Sequence, residues 1–583
     1  MSAASKSATS ASGEELEVWA PNAREVAIEQ GGERVPARDA GDGCYRVPAP
    51  RPGEDYFILL DGRQRPDPRS QWQPHGVHGA SQRVDHTAFT WADRGFRAPP
   101  LDSGLVYELH IGTFTADGTY AAAAARLPYL AELGVTHVEL MPLASFPGRF
   151  GWGYDGVCLF APHPAYGTPD ELKRFVDRAH ELGLGVLLDV VYNHLGPDGN
   201  YLAEFGPYFT DRFHTPWGPA VNLDGPDSER VRRFFIDNAF MWLRDYHFDG
   251  LRLDAVHAYA DASARTFLEQ LGDEVRSLGA QLRRPLVLIA ESDLNDPRIV
   301  RSVDAGGYGL DAQWSDDLHH ALHALLTRER NGYYEDFGAL ADIGHALREG
   351  YVYGGRYSQH RRRTHGRPLG ELSGHRLLGY LQTHDQVGNR ARGERIAMLT
   401  SPARARIGAA LVFIAPFVPM IFQGEEWAAS TPFCYFADHT NEELARAVRE
   451  GRRNEFAAFG WKPEDIPDPL AEETFRSSVL RWEESQREPH ASMLAFYSAL
   501  IQLRASTPEL LDGRRDRIEV QWDELQGWLQ VRRGPVTLLA NLGEHAVDLP
   551  SPAGRCVIAY PAELREHIAG VTLHPDACAI WKS

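Results

Sequence analysis

Unbroken apolar runs that end abruptly in a polar residue recur along this chain. GLGVLLDVVYNH (183–194), GLRLDAVH (250–257), LVLIAES (286–292) and LLGYLQTHD (377–385) each close on Asp, Glu or His. Runs of that length without polar alternation predict strands covered on both faces, as in a parallel sheet. Amphipathic patterns fall between strand candidates, among them DELKRFVDRAHELG (170–183) and SERVRRFFIDNAFMWLRDYH (228–247), and predict helices. TYAAAAARLPYLAELG (119–134) reads as one helix ending on Gly134. VYELHIGTF, VTHVELMPL, AQWSDDLHH and FVPMIFQGEEW bring the strand candidates to eight. That alternation predicts an α/β protein built on a closed (β/α)8 TIM barrel, with the polar strand ends gathered at its C-terminal mouth. No G-x-G-x-x-G follows the first strand and no Walker A pattern is present, so signals of nucleotide-binding folds are absent.

The period changes to two on either side of the barrel pattern. EVWAPNAREVAIE, GDGCYRVPAP, DYFILLDG and HTAFTW are short runs between Gly, Pro and Asp turns, predicting an immunoglobulin-like β-sandwich over 14–97. It is expected mainly to pack on the barrel, which spans 98–511. RIEVQWDEL, GWLQVRRG and PVTLLANLG predict a second β-sandwich over 512–583. Two stretches are too long to be plain connectors. One is an aromatic, Gly- and Pro-rich insert at 195–228 after the third strand; the other, at 428–490, follows the eighth. Residues 1–13 are small and polar, read as a disordered tail rather than a leader peptide.

Composition narrows the partners. Asp and Glu number 80 against 60 Lys and Arg, a net charge of −20, which disfavours nucleic acid and anionic membranes and suits a neutral substrate. Five scattered Cys without a C-x-x-C pair fit a reducing compartment, and no apolar stretch approaches a membrane span. The expectation is a cytoplasmic enzyme without cofactor or metal, its oligomeric state open. Asp198-Gly-Asn200 offers a single carboxylate and is read as a turn rather than a calcium loop, and His75 and His78 as loop residues.

The strand ends supply the chemistry. Splitting a glycosidic bond with retention needs a carboxylic acid for the leaving oxygen and a carboxylate about 5–5.5 Å away to attack the anomeric carbon. Asp254 and Glu291 close the fourth and fifth strands, and neighbouring strands lie about 4.8 Å apart. Asp254 is therefore expected as nucleophile and Glu291 as general acid/base, with Asp385 gripping sugar hydroxyls. Arg252 shares the face of Asp254 and should keep it ionised, while Glu291 needs a raised pKa. Taken singly, a strand-end Asp is more often a helix cap and Arg252 a salt-bridge partner. The ordered set of RLDAVH, AES and THD shifts that balance.

DVVYNH (189–194), GLRLDAVH, IAES and QTHDQ resemble the four signature regions of the α-amylase superfamily of retaining glycoside hydrolases. The resemblance implies Asp254 as nucleophile, Glu291 as acid/base and Asp385 as transition-state stabiliser. It also implies Arg252, His194, His384 and Asp189 around the sugar being cleaved, with Tyr154 of GWGYDG as the aromatic platform under it. DVVYNH departs from the D-W-V-P-x-H form of branching enzymes, while debranching enzymes share its Y-N-H. GWGYDGVCLFAPHPAYG, FHTPWGPAVNLDG and THDQVGNRARGER are similar to the superfamily's trehalose-releasing members. That likeness implies hydrolysis of the α-1,4 bond beside a terminal trehalose of maltooligosyltrehalose, and functional coupling to a maltooligosyltrehalose synthase. Trp217 and His257 are expected on the trehalose side, although Trp217 equally suits a loop anchor. The alternatives are an α-1,6 debranching or α-1,4-glucan branching enzyme and, more distantly, a non-catalytic carbohydrate-binding protein.

Overall fold

The computed structural model describes residues 14–457, 462, 465–568 and 570–583. The expected N-terminal tail, 1–13, and part of the segment after the eighth strand lie outside them. At the centre is a closed parallel barrel of β1 (Val106–Leu109), β2 (His137–Leu140), β3 (Gly185–Val190), β4 (Gly250–Leu253), β5 (Val287–Ala290), β6 (Ala312–Trp314), β7 (Leu377–Tyr380) and β8 (Val418–Phe422), with β8 pairing back onto β1. All eight predicted runs supply a strand. Closure explains their lack of alternation: one side faces the barrel interior and the other the helices, so even Tyr107, Leu187, Leu251 and Met420 are buried.

Local sequence sets the helices. Thr168 and Glu171 form a reciprocal capping box and Pro169 sits at the first turn, so α1 (Pro169–Glu181) starts before β3. Helix α2 (Ser228–Phe240) leads into a π-turn at Met241–Asp245 ahead of β4. The single helix expected over 119–134 is two pieces, Tyr120–Ala124 and Leu127–Leu133. Pro128 lacks an N–H and its ring blocks the preceding turn, so it starts a second helix instead of continuing the first. Gly134 ends that second piece at φ 101°, with Ile501 too close for a side chain.

The strand-three insert folds as a short helix, Leu202–Phe205, and a hairpin, Phe209–Thr215 with Gly218–Val221, whose turn carries Trp217. N-terminal to the barrel lie antiparallel sheets of three and four strands, closing on Val18, Val26, Ile28, Val47 and Ile58. HTAFTW, expected as a strand there, is instead a 3-10 turn capped by Asp85. At the other end, sheets of five and three strands pack around Leu539, Val571 and Trp581. Among the described residues no helix is long and apolar enough to cross a membrane.

Candidate active site

Parallel register brings the polar strand ends together. Asp189 on β3 sits opposite Arg252 on β4, and Leu253 sits opposite Ala290 on β5, so Asp254 and Glu291 emerge side by side. Arg252 is 1% exposed. A guanidinium so deep needs several counter-charges. Its Nη1 donates to Asp189 Oδ1 (2.9 Å) and Oδ2 (2.8 Å) and to Asp254 Oδ1 (2.8 Å), while Nη2 lies 3.2 Å from Glu291 Oε2. The Trp314 ring lies 4.2 Å from its central carbon.

The two carboxylates are held differently. Asp254 Oδ2 accepts a 2.6 Å bond from Asn193 Nδ2. Glu291 Oε2 accepts the backbone N–H of Ala255 at 2.7 Å, and Ala255 has φ 41°, a strained conformation for a residue with a Cβ. Burial, together with Asp254 and Asp385, pushes the Glu291 carboxyl well above the ordinary carboxylate range in spite of Arg252. Burial also raises Asp385 against the pull of His384 and Arg252, and Asn389 Nδ2 donates to Asp385 Oδ1 at 2.6 Å. Thr383 caps the short helix His384–Gly388 and pairs with Gln386, fixing where Asp385 points.

A second layer continues from Asp189. Tyr154 donates to Asp189 Oδ2 at 2.6 Å, and its hydroxyl lies 2.8 Å from His384 Nε2. On its other nitrogen His384 bonds Glu108 of β1. Burial opposes a charge on His384, but the Glu108 carboxylate wins and raises its pKa. With both nitrogens protonated, His384 donates to Glu108 and to Tyr154 at once. Asp189 is pushed up to about 6, burial outweighing Arg252.

Residues 93–212 match the alpha-amylase family (alpha amylase, catalytic domain), and 513–580 match a domain of unknown function, DUF3459. The malto-oligosyltrehalose trehalohydrolase of Arthrobacter ramosus is 47% identical over 571 residues, covering 97% of this chain and 98% of its own. That of Mycobacterium tuberculosis is 46% identical over 94% of this chain and 96% of its own. The chain belongs to the malto-oligosyltrehalose trehalohydrolase family. A crystal structure described as a putative alpha amylase from Salmonella typhimurium superposes with a TM-score of 0.89 at 38% identity, covering 97% of each chain. A pullulanase from Paenibacillus barengoltzii, at 17% identity and a TM-score of 0.69, shares the fold.

In this member of the trehalohydrolase family the remaining expected residues are placed unequally. Trp217 stacks on His194 at 4.7 Å and 8° while staying 49% exposed. His194 was expected to offer a donor to sugar, yet both its ring nitrogens face protein acceptors. These are Asn193 Oδ1 and, at 3.0 Å, the carbonyl of Tyr154. His194 orders the wall before it can serve a hydroxyl. His257 is exposed and lines a separate hollow with Tyr259, Asp261 and Leu294. Glu108, Trp314 and Asn389 escaped the sequence reading. For Glu108 a signal was present: a carboxylate inside a four-residue strand buried throughout. Among the described residues no group of three or more His, Cys, Asp or Glu is arranged to hold a metal ion.

Proposed function

We propose that the protein cleaves the α-1,4 bond next to the terminal trehalose of maltooligosyltrehalose, with retention, releasing trehalose and a maltooligosaccharide. One observation carries this reading: Asp254 and Glu291 contact one buried guanidinium, while burial keeps Glu291 protonated. Glu291 gives its proton to the oxygen leaving with trehalose as Asp254 attacks the anomeric carbon. The C–O bond to trehalose breaks as the bond to Asp254 forms. Glu291, now ionised, takes a proton from water, whose oxygen displaces Asp254 and restores both carboxyl groups. Asp385 grips hydroxyls of the flattened sugar; Tyr154 lies under it. Asp189, Arg252, His194 and His384 complete the subsite. Trp217 and His257 are assigned to the trehalose side. The reading also places the enzyme in the cytoplasm, drawing on a synthase that builds the trehalose terminus.

The test is a product assay on maltotriosyl-trehalose, maltopentaose and a branched glucan in parallel. Free trehalose with maltotriose, released much faster than maltopentaose is cut, is the expected result. Preferred attack on the branched glucan would move the protein to the debranching or branching enzymes.

A further inference from the structure

The N-terminal module reaches the strand-three insert at several points. Arg65 Nε bonds Glu204 at 2.9 Å, and the Arg65 guanidinium lies 4.8 Å from the centre of the Tyr201 ring. Gly199, at φ +87°, lies so close to Val77 that a Cβ would meet the valine methyl at 2.5 Å. The centre of this contact is Asp198, 8% exposed and four residues beyond His194. Its Oδ1 lies 3.1 Å from His78 Nε2, and its Oδ2 accepts a 2.6 Å bond from Thr440 Oγ1. His78 Nδ1 is 2.7 Å from the Tyr201 hydroxyl. A carboxylate accepts only, so the proton of His78 sits on Nε2 and Tyr201 donates to Nδ1. One carboxylate therefore joins three segments: the N-terminal module, the insert carrying Trp217, and the chain after β8.

The third segment extends the tie across the mouth. Asn441 follows Thr440 and accepts from the N–H groups of Glu443 and Leu444 at the start of helix α3 (Glu442–Ala457). Arg452 of α3 donates to the carbonyl of Gly388 at 2.6 Å, three residues from Asp385. The walls bearing His194 and Asp385 are thus linked through Thr440 and α3.

We propose that Asp198 is a positioning residue for the reaction, through which His78 of the N-terminal module holds the insert, and with it the Trp217–His194 wall, in its binding geometry. This rests on the glycosidase reading above. A loosened wall weakens substrate contacts, whereas Asp254 and Glu291, fixed by barrel strands, keep their geometry. His78→Ala is the main variant, because its side chain is 47% exposed and its loss leaves the barrel core untouched. Asp198→Ala and Asp198→Asn accompany it; the amide can accept from His78 and donate to Thr440. Steady-state kinetics on the full chain is read beside a melting curve, using whichever of the three glucans the wild type cleaves. A wild type that releases no trehalose thus overturns the substrate reading without removing this test. The expected result is a KM raised about tenfold in both alanine variants with kcat within about threefold, since small misplacements are amplified in binding and reactivity. Asp198→Asn should stay near wild type. An unchanged KM in the folded alanine variants, or a loss of activity matching only the unfolded fraction, overturns the proposal.

Discussion

At the scale of single residues, the site separates two carboxyl groups by their surroundings. Both touch Arg252, but Glu291 is driven toward its neutral form by burial and by the charges of Asp254 and Asp385. The sign follows directly. A general acid works protonated, so activity is present below the raised pKa of Glu291 and lost as pH rises through it. Glu291→Gln should lower kcat on maltooligosyltrehalose by about 10²–10⁴-fold, the usual worth of general acid catalysis. With an α-glycosyl fluoride, whose leaving group needs no proton, the first step should survive in Glu291→Gln and be lost in Asp254→Asn. Equal loss of both substrates in both variants would sink the division of roles. Asp254, Glu291 and Asp385 were legible because each interrupts an apolar run. Glu108 interrupts one as well, but its partner His384 is 276 residues away, and a contact across the barrel leaves no local trace.

At the scale of elements, the strands were legible because both of their faces are buried; breaks and bolts were less so. Pro128 is a local signal, and it splits a helix that the apolar period alone would continue. His180, in the last turn of α1, is a bolt with no local signal. Its Nδ1 is 2.9 Å from Asp93 and its Nε2 2.9 Å from Asp249, which precedes β4; Phe96 stacks on its ring. Burial opposes the charge, yet the bonds to Asp249 and Asp93 raise the pKa of His180 overall. Its contribution is therefore fully present below the unfolded value of about 6.5 and lost as pH rises through the folded one. The melting temperature should fall on the alkaline side of that window in the wild type. His180→Ala should flatten this dependence and cost about 3–5 kcal/mol, because Asp93 and Asp249 lose the cation between them. Parallel melting curves for the two proteins across the window would refute the bolt.

At the scale of the whole molecule, the three bodies of the chain were legible as changes of hydrophobic period, but their contacts were not. His78 and Asp198 stand 120 residues apart, and nothing in QPHGVHG says which surface it meets. Net charge, by contrast, is readable from sequence and bears on binding. The chain carries −20, yet the subsite around Arg252 is internally paired, its guanidinium shared by Asp189, Asp254 and Glu291. A neutral glucan is then drawn in by aromatic faces and hydrogen bonds, not by the long-range field of the protein. Screening acts on charges separated by more than about 10 Å at 0.1 M salt and leaves such contacts nearly untouched. Accordingly kcat/KM should change less than about twofold between low and high salt, where electrostatic steering of a charged ligand would change it steeply. A strong salt dependence with the neutral substrate would place an unpaired charge in the binding step and require a recognition surface other than the paired subsite at the barrel mouth.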